Sequence, residues 1–453
     1  MEKRKYFSEI PSELLQYVRD NPIGYAAYRV LHIRSHNGVL SEKKQIPLIT
    51  TPIYPIVIVL YVFLKRIIHL LHRKRIELDP DAIFILGTSK KYGTYSLVTV
   101  AEELQKQGES VTLLCSPAAK SRQGQWEEKG LNTITHTELQ GQVSVLSLLS
   151  FLFQALFITK SIQKLTPHPT TQYDSVIAYN YVITEYVKRE SLALLMQDDP
   201  AVHTYSPMPY LVENTKNDRI FVYQHGTQWK GANTLMAVPF YVPLTYLIWS
   251  DIWAESFEDA AHPDSRIIPV GSPWHDRLAG SQMETESEFD VLFISQAHGI
   301  QTDKQSKLYE EFVRAVVDLC EHENLDLKIK LHPIGSEQWY AKRGWKSYIG
   351  IFDDIDTALQ QTRIAITDVS SAFVESSVYG TPIIVADIQN TQLSSLAPVQ
   401  NVLFPETLDD LPSAVRNALN GDLPQTDNSV VETGGSIERI IYAARAERGR
   451  DCS

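Results

Sequence analysis

Four short segments carry residues that can do chemistry, each directly beyond an apolar run that reads as a strand. In residues 223–231, Tyr-Gln-His-Gly-Thr-Gln-Trp-Lys-Gly, the run ends at Tyr223 and His225 and Gly226 follow. An imidazole accepts a proton near neutral pH, and glycine lets a substrate approach the backbone. A histidine hydrogen-bonded within a turn fits the same residues. In residues 328–333, Lys-Ile-Lys-Leu-His-Pro, His332 ends a strand and Pro333 turns the chain out of the sheet. Lys330 stands two residues back on the same strand face, and such a pair suits a phosphate; a satisfied structural histidine is the rival. In residues 366–382 a strand passes into Ser370 and Ser371, which open a helix. Serine is a favoured N-cap, and the free N–H groups and positive dipole end make an anion site. Glu375 lies four residues beyond Ser371, on the same helix face, where a carboxylate accepts ribose hydroxyls. An ordinary capped helix explains the serines equally well. Residues 270–278, Val-Gly-Ser-Pro-Trp-His-Asp-Arg-Leu, form a strand–loop–helix junction; locally, Asp276 reads as a helix-start acid.

The elements that must position these residues alternate. Strands are expected at residues 82–86, 110–115, 175–179, 220–223, 245–249 and 267–270, with a helix over 95–107. After a polar, acidic stretch at 279–288 the alternation restarts. Strands are expected at 289–294, 328–331, 363–367 and 382–386, with helices at 308–321, 354–361 and 371–379. This pattern predicts an α/β fold of two facing Rossmann-like, doubly wound domains with a cleft between them. The divisions are an N-terminal extension (1–80), a first Rossmann-like domain (81–278), a linker (279–288), a second Rossmann-like domain (289–430), and a C-terminal helix or tail (431–453) that packs back across the first half.

The 453 residues carry a net charge of −12, which speaks against a nucleic-acid partner bound through phosphate neutralisation. Three cysteines, Cys115, Cys320 and Cys452, lie far apart with no Cys-x-x-Cys pair, so a reducing cytoplasm is the plain reading. The basic start has no apolar core behind it, so no secretory leader is expected. No dinucleotide-binding glycine motif, P-loop, Gly-x-Ser-x-Gly or His-Glu-x-x-His occurs. No Asp-x-Asp lies within the four segments, and neither a metal nor another cofactor is expected to be required. Residues 46–64 are apolar and interrupted by Pro47, Pro52 and Pro55, and residues 65–75 are basic without a single acid. That combination predicts peripheral contact with an anionic bilayer, a buried helix and a true span being the alternatives.

Together the four segments resemble the CDP-glycerol glycerophosphotransferases that build teichoic acids, with motifs shared by capsule and polysialic-acid transferases. Residues 224–231 are similar to that family's His-Gly-Thr-x-x-Lys signature and residues 270–278 to its Gly-x-Pro-x-x-Asp-x-Leu segment. Residues 330–333 and 367–384 resemble its His-Pro and Ser-Ser motifs. The order and spacing of all four agree, over somewhat more than a third of the chain. Gln228 and Trp229 depart from the usual proline and leucine, Trp274 and His275 from arginine and asparagine, and Val369 from an aromatic.

The resemblance implies a GT-B fold on the cytoplasmic face of the membrane. It also implies transfer of a polyol phosphate from a CDP-activated donor to a lipid-linked glycan or polyol acceptor. His225 would be the general base, with Gly226, Thr227, Lys230 and Asp276 on the acceptor side. His332, Lys330, Ser370, Ser371 and Glu375 would hold the donor. A GT-B glycosyltransferase using a CMP- or UDP-sugar is the nearest alternative. A non-catalytic, membrane-docked scaffold with a degenerate cleft is the alternative of another class.

Overall fold

The computed structural model describes residues 83–87, 91–115, 122–135, 138, 193–197, 220–224, 226, 244–261, 263–281, 286–295, 303–332, 337–368, 370–388 and 398–449. His225, Thr227, Lys230, residues 46–75 and the strand expected at 175–179 lie outside them. Among the described residues no helix is long and apolar enough to cross a membrane.

Twelve strands and ten α-helices alternate along the described chain. In order they are β1 (Ile83–Gly87), α1 (Lys91–Lys106), β2 (Val111–Cys115), α2 (Gln123–Glu128), β3 (Asn132–Thr135), β4 (Ala193–Gln197), β5 (Ile220–Tyr223), β6 (Thr245–Ile248), α3 (Ala254–Ala260), β7 (Arg266–Pro269) and α4 (Pro273–Ala279). Then come β8 (Phe289–Ile294), α5 (Asp303–Glu323), β9 (Leu327–Lys330), α6 (Glu337–Ala341), α7 (Ile355–Gln360), β10 (Thr362–Thr367), α8 (Ala372–Tyr379), β11 (Ile383–Val385), β12 (Val402–Leu403), α9 (Leu411–Asn420) and α10 (Ser436–Gly449).

β1 to β7 form one sheet in the order 3-2-1-4-5-6-7, and β8 to β12 form a second in the order 12-11-10-8-9. Every strand pairing is parallel. Parallel strands must be covered on both faces, which is why β5, β6 and β11 are buried along their whole length and, Thr245 apart, apolar. In the second sheet the side chains divide by alternation. Val291, Phe293, Ile364 and Ile366 face α5 and α9, whereas Leu292, Ile294 and Ala365 belong to the cluster containing α8. α5 presents Tyr309, Phe312, Val313, Val316, Val317 and Cys320 as one stripe at helical spacing.

Each sheet has one place where the chain reverses its direction of winding. In the first it lies between β1 and β4, in the second between β8 and β10. Open parallel sheets bind ligands beyond the strand C-termini at that point.

The halves are joined by packing and by the C-terminal segment. α4 packs against α8, and Trp253 meets Phe373 with ring centroids 6.3 Å apart. Residues 430–445 then return to the first domain. Trp253 Nε1 donates to the Val430 carbonyl at 2.7 Å, and Glu432 N donates to the Trp249 carbonyl at 2.9 Å. Arg439 Nε donates to the Val270 carbonyl at 3.1 Å, and Arg445 reaches Glu109 at 3.2 Å. α10 also packs against α1 and α4 of the first domain.

Candidate functional site

The second sheet's reversal point is built from the ends of β8, β9 and β10. β8 ends in Ser295, which is 2% exposed. Its N–H donates to the Lys330 carbonyl at 3.0 Å, and its hydroxyl accepts from the His332 N–H at 2.8 Å. Ser295 thus pins the C-terminal end of β9, so that His332 leaves the sheet at a fixed height beside the reversal point. Burial first, and the neighbouring Lys330 cation second, hold the His332 imidazole below the ordinary histidine range. At neutral pH it is an uncharged hydrogen-bonding group, and Lys330 supplies the cationic member of the pair.

β10 is tied on the other side of the same point. Thr367 Oγ1 donates to the Ile294 carbonyl at 3.2 Å, and Ala386 N donates to the Thr367 carbonyl at 2.9 Å. Asp368 follows, fully buried, and its carbonyl accepts from Ser370 N at 2.8 Å. The Ser370 hydroxyl accepts from Ala372 N at 3.3 Å, so Ser370 provides the side-chain cap of α8. Ser371 occupies the N-cap position in an αR conformation, makes no side-chain cap and is exposed. One serine hydroxyl is used by the fold and the other faces solvent at the helix start, a division of labour that spacing could not reveal. Glu375 lies in the first turn of α8 and is 3% exposed. His332, Lys330, Ser370, Ser371 and Glu375 are thereby carried by the elements that meet at one reversal point.

In the first sheet the remaining expected residues lie beyond the ends of β5 and β7. Gln224, 0% exposed, links two of them. Its Oε1 accepts from Trp249 N at 2.8 Å, its N–H donates to the Leu247 carbonyl at 2.9 Å, and its Nε2 donates to the Gly226 carbonyl at 2.8 Å. Gln224 therefore anchors both sides of position 225. Tyr223 is buried with its hydroxyl 3.4 Å from the Gly271 carbonyl. Burial pushes that phenol up to about 12 despite the Ser272, Ser96 and Trp249 groups beside it, so it stays protonated.

Asp276, expected on the acceptor side, holds the C-terminal segment. Its carboxylate accepts from Gly434 N at 2.6 Å, Ser436 N at 2.8 Å and Ser436 Oγ at 2.9 Å. These partners lie 158 and 160 residues downstream, so nothing local in the sequence signals them. Neighbouring His275 is 2% exposed, packs edge-on to Trp249 at 5.0 Å, and among the described residues has no hydrogen-bond partner on either ring nitrogen. Burial alone lowers its pKa to about 3.

Ser295 and Gln224 are the residues sequence reasoning misses. Each was visible as a polar residue ending an apolar run, but its partners sit on neighbouring strands.

The arrangement is similar to that of solved structures over most of the chain. One is UDP-GlcNAc 2-epimerase from Methanocaldococcus jannaschii, 12% identical, covering 81% of this chain and 99% of its own, with a TM-score of 0.50. Another is a Listeria monocytogenes protein assigned as a UDP-N-acetylglucosamine 2-epimerase, 12% identical, covering 82% and 97%, with a TM-score of 0.50. The fold is of the GT-B type. No protein-family model and no curated protein sequence matches the chain.

Proposed function

We propose that the protein is a transferase moving a polyol phosphate, glycerol phosphate or a close analogue, from a CDP-activated donor to a lipid-linked glycan or polyol acceptor. What supports this reading is that Lys330 and His332 stand at the C-terminal end of β9 and Ser370 and Ser371 follow that of β10, the two strands flanking β8 at the second sheet's reversal point. That is where an open parallel sheet receives a nucleotide's phosphates. The resemblance of the four motifs to the glycerophosphotransferases supplies the transferred group.

In the reaction the acceptor hydroxyl attacks the phosphorus bearing the polyol, His225 takes its proton, the bond to the bridging oxygen breaks and CMP leaves. Charge develops on the departing CMP. The amides opening α8, the Ser371 hydroxyl, Lys330 and the His332 imidazole stabilise it electrostatically. Glu375 holds the ribose hydroxyls. Gly226, Thr227, Lys230 and Asp276 belong to the acceptor side, and Asp276 also ties that side to the C-terminal segment. The basic residues 65–75 hold the enzyme against the inner face of the membrane, where a lipid-linked acceptor is presented.

A nucleotide-sugar reading stands beside it, because the neighbours named above are UDP-GlcNAc 2-epimerases and a related fold can hold a UDP- or CMP-sugar in the same cradle. Product analysis with CDP-glycerol, a CMP-sugar and UDP-GlcNAc separates the two. Release of CMP with appearance of a new phosphodiester supports the proposal. Turnover of only a sugar donor replaces it. No stabilisation by CMP, CDP or UDP leaves a scaffold with a degenerate cleft; a ligand at 100 times its Kd should add about 2.7 kcal/mol.

A further inference from the structure

Among the described residues three arginines lie over aromatic rings. Arg314 sits 5.6 Å above Trp345 and Arg343 sits 3.9 Å above Trp339. Both are also tied to Glu310, at 3.3 Å and 2.6 Å. Arg277 differs. Its guanidinium carbon lies 4.9 Å from the Trp274 ring centre and 5.3 Å from that of Tyr95. Among the described residues it has no carboxylate and no hydrogen-bond acceptor. The two rings meet edge to face, with centroids 5.3 Å apart and planes at 78°, and form a notch in which the guanidinium rests.

Stacking fixes a guanidinium without using its N–H groups. A group so held keeps a rigid fork of donors that matches the two oxygens of an oxyanion. Ion pairing would normally occupy that fork, as it does in Arg314 and Arg343. The position adds meaning. Trp274 and Arg277 belong to α4, which starts at the C-terminal end of β7 and packs against α8, the helix opened by Ser370 and Ser371. Tyr95 belongs to α1, the helix that follows β1 at the first sheet's reversal point.

We propose that the Tyr95–Trp274–Arg277 notch is an oxyanion subsite that selects an acceptor carrying a phosphate or carboxylate. This rests on the transferase reading above, because the first domain is the acceptor side only in that reading. Arg277 provides the bidentate contact, and the two rings, Trp274 buried and Tyr95 half-buried, set its orientation. Arg277 is exposed, so its replacement leaves the core untouched.

The test uses three probes on one carbon skeleton: glycerol 3-phosphate, glycerate and glycerol, titrated calorimetrically into the full-length protein at low ionic strength. Arg277→Gln and Arg277→Lys variants are measured in parallel, and CDP binding is measured separately on all three proteins. The expected result is at least tenfold tighter binding of one or both anions than of glycerol. Arg277→Gln should lose that preference, and Arg277→Lys, which keeps the charge but not the fork, should lose most of it. The stronger anion identifies phosphate or carboxylate as the group selected. Equal binding of glycerol and both anions, or a preference that survives Arg277→Gln, overturns the subsite. CDP binding tells the two claims apart. If CDP binds and the anion preference is absent, the subsite alone fails; if the preference is present and no nucleotide binds, the transferase reading fails instead.

Discussion

Replacing Gly271 with alanine should release the C-terminal segment from the first domain. Gly271 has φ +76°, a conformation in which an L-residue costs about 1–2 kcal/mol. A Cβ there would also lie 2.4 Å from both the Glu432 carbonyl oxygen and the Ser436 hydroxyl, and 2.7 Å from the Arg439 guanidinium. The arginine can swing away, but a backbone carbonyl held by the surrounding hydrogen bonds cannot do so freely. Overpacking of this kind costs about 1–3 kcal/mol. Gly421→Ala is the internal control, since Gly421 has φ +78° and nothing within 4 Å of its added carbon. It carries the backbone strain without the collision. Because a two-domain chain need not unfold in one step, the readout should be local. Hydrogen exchange at the amides of Glu432, Gly434 and Ser436 reports the bonds to Trp249 and Asp276 directly. A collision of about 1–3 kcal/mol should speed their exchange in Gly271→Ala by roughly five- to 150-fold, and Gly421→Ala should leave them unchanged. Equal protection of these three amides in both variants would refute the claim that close approach at Gly271 docks the segment.

Asp276→Asn keeps the shape but removes the charge from three accepted bonds, and thermal unfolding should show a loss of about 1–3 kcal/mol, whereas an Asp276→Ala loss no larger than that of a surface substitution would contradict the assignment. His275 has a folded pKa below its unfolded value, so its contribution is fully present above about pH 6.5 and is lost as pH falls towards 3, at up to about 1.4 kcal/mol per pH unit. His275→Leu should flatten that part of the stability–pH curve and raise stability at pH 7 by about 1–3 kcal/mol, because an unpaired buried polar group is removed; unfolding titrations from pH 4 to 8 check both. Ser295→Ala should raise the KM for the nucleotide donor about tenfold with a smaller change in kcat, by freeing the His332 amide, and Ser295→Thr should restore most of it; unchanged steady-state kinetics would remove Ser295 as a positioning residue.

The second sheet was largely legible because its strands are the apolar, β-branched kind: Phe289–Ile294, Thr362–Thr367 and Ile383–Val385 all declare themselves by composition. β4 did not. Ala-Leu-Leu-Met-Gln contains no β-branched residue and reads locally as helix, yet pairing with β1 and β5 on either side makes it a central strand. β3 is an edge strand with one buried side chain, Ile134, among Asn132, Thr133 and Thr135, too little apolar signal to mark it. At the site, the strand-end positions of His332, Ser370 and Ser371 follow from local turn and cap chemistry. Which serine caps α8 depends on backbone angles, and what Asp276 holds depends on a segment more than 150 residues away. Both are decided by tertiary structure, to which local spacing is blind.

The most direct test of the account is calorimetric titration of CDP-glycerol into the wild-type protein and into a His332→Ala, Ser371→Ala double variant. Binding to the wild type, weakened at least tenfold in the variant while the variant's thermal unfolding stays within about 1 kcal/mol of wild type, is the outcome predicted. A donor that binds both proteins equally, or neither, would contradict a phosphate cradle at the β8–β10 reversal point.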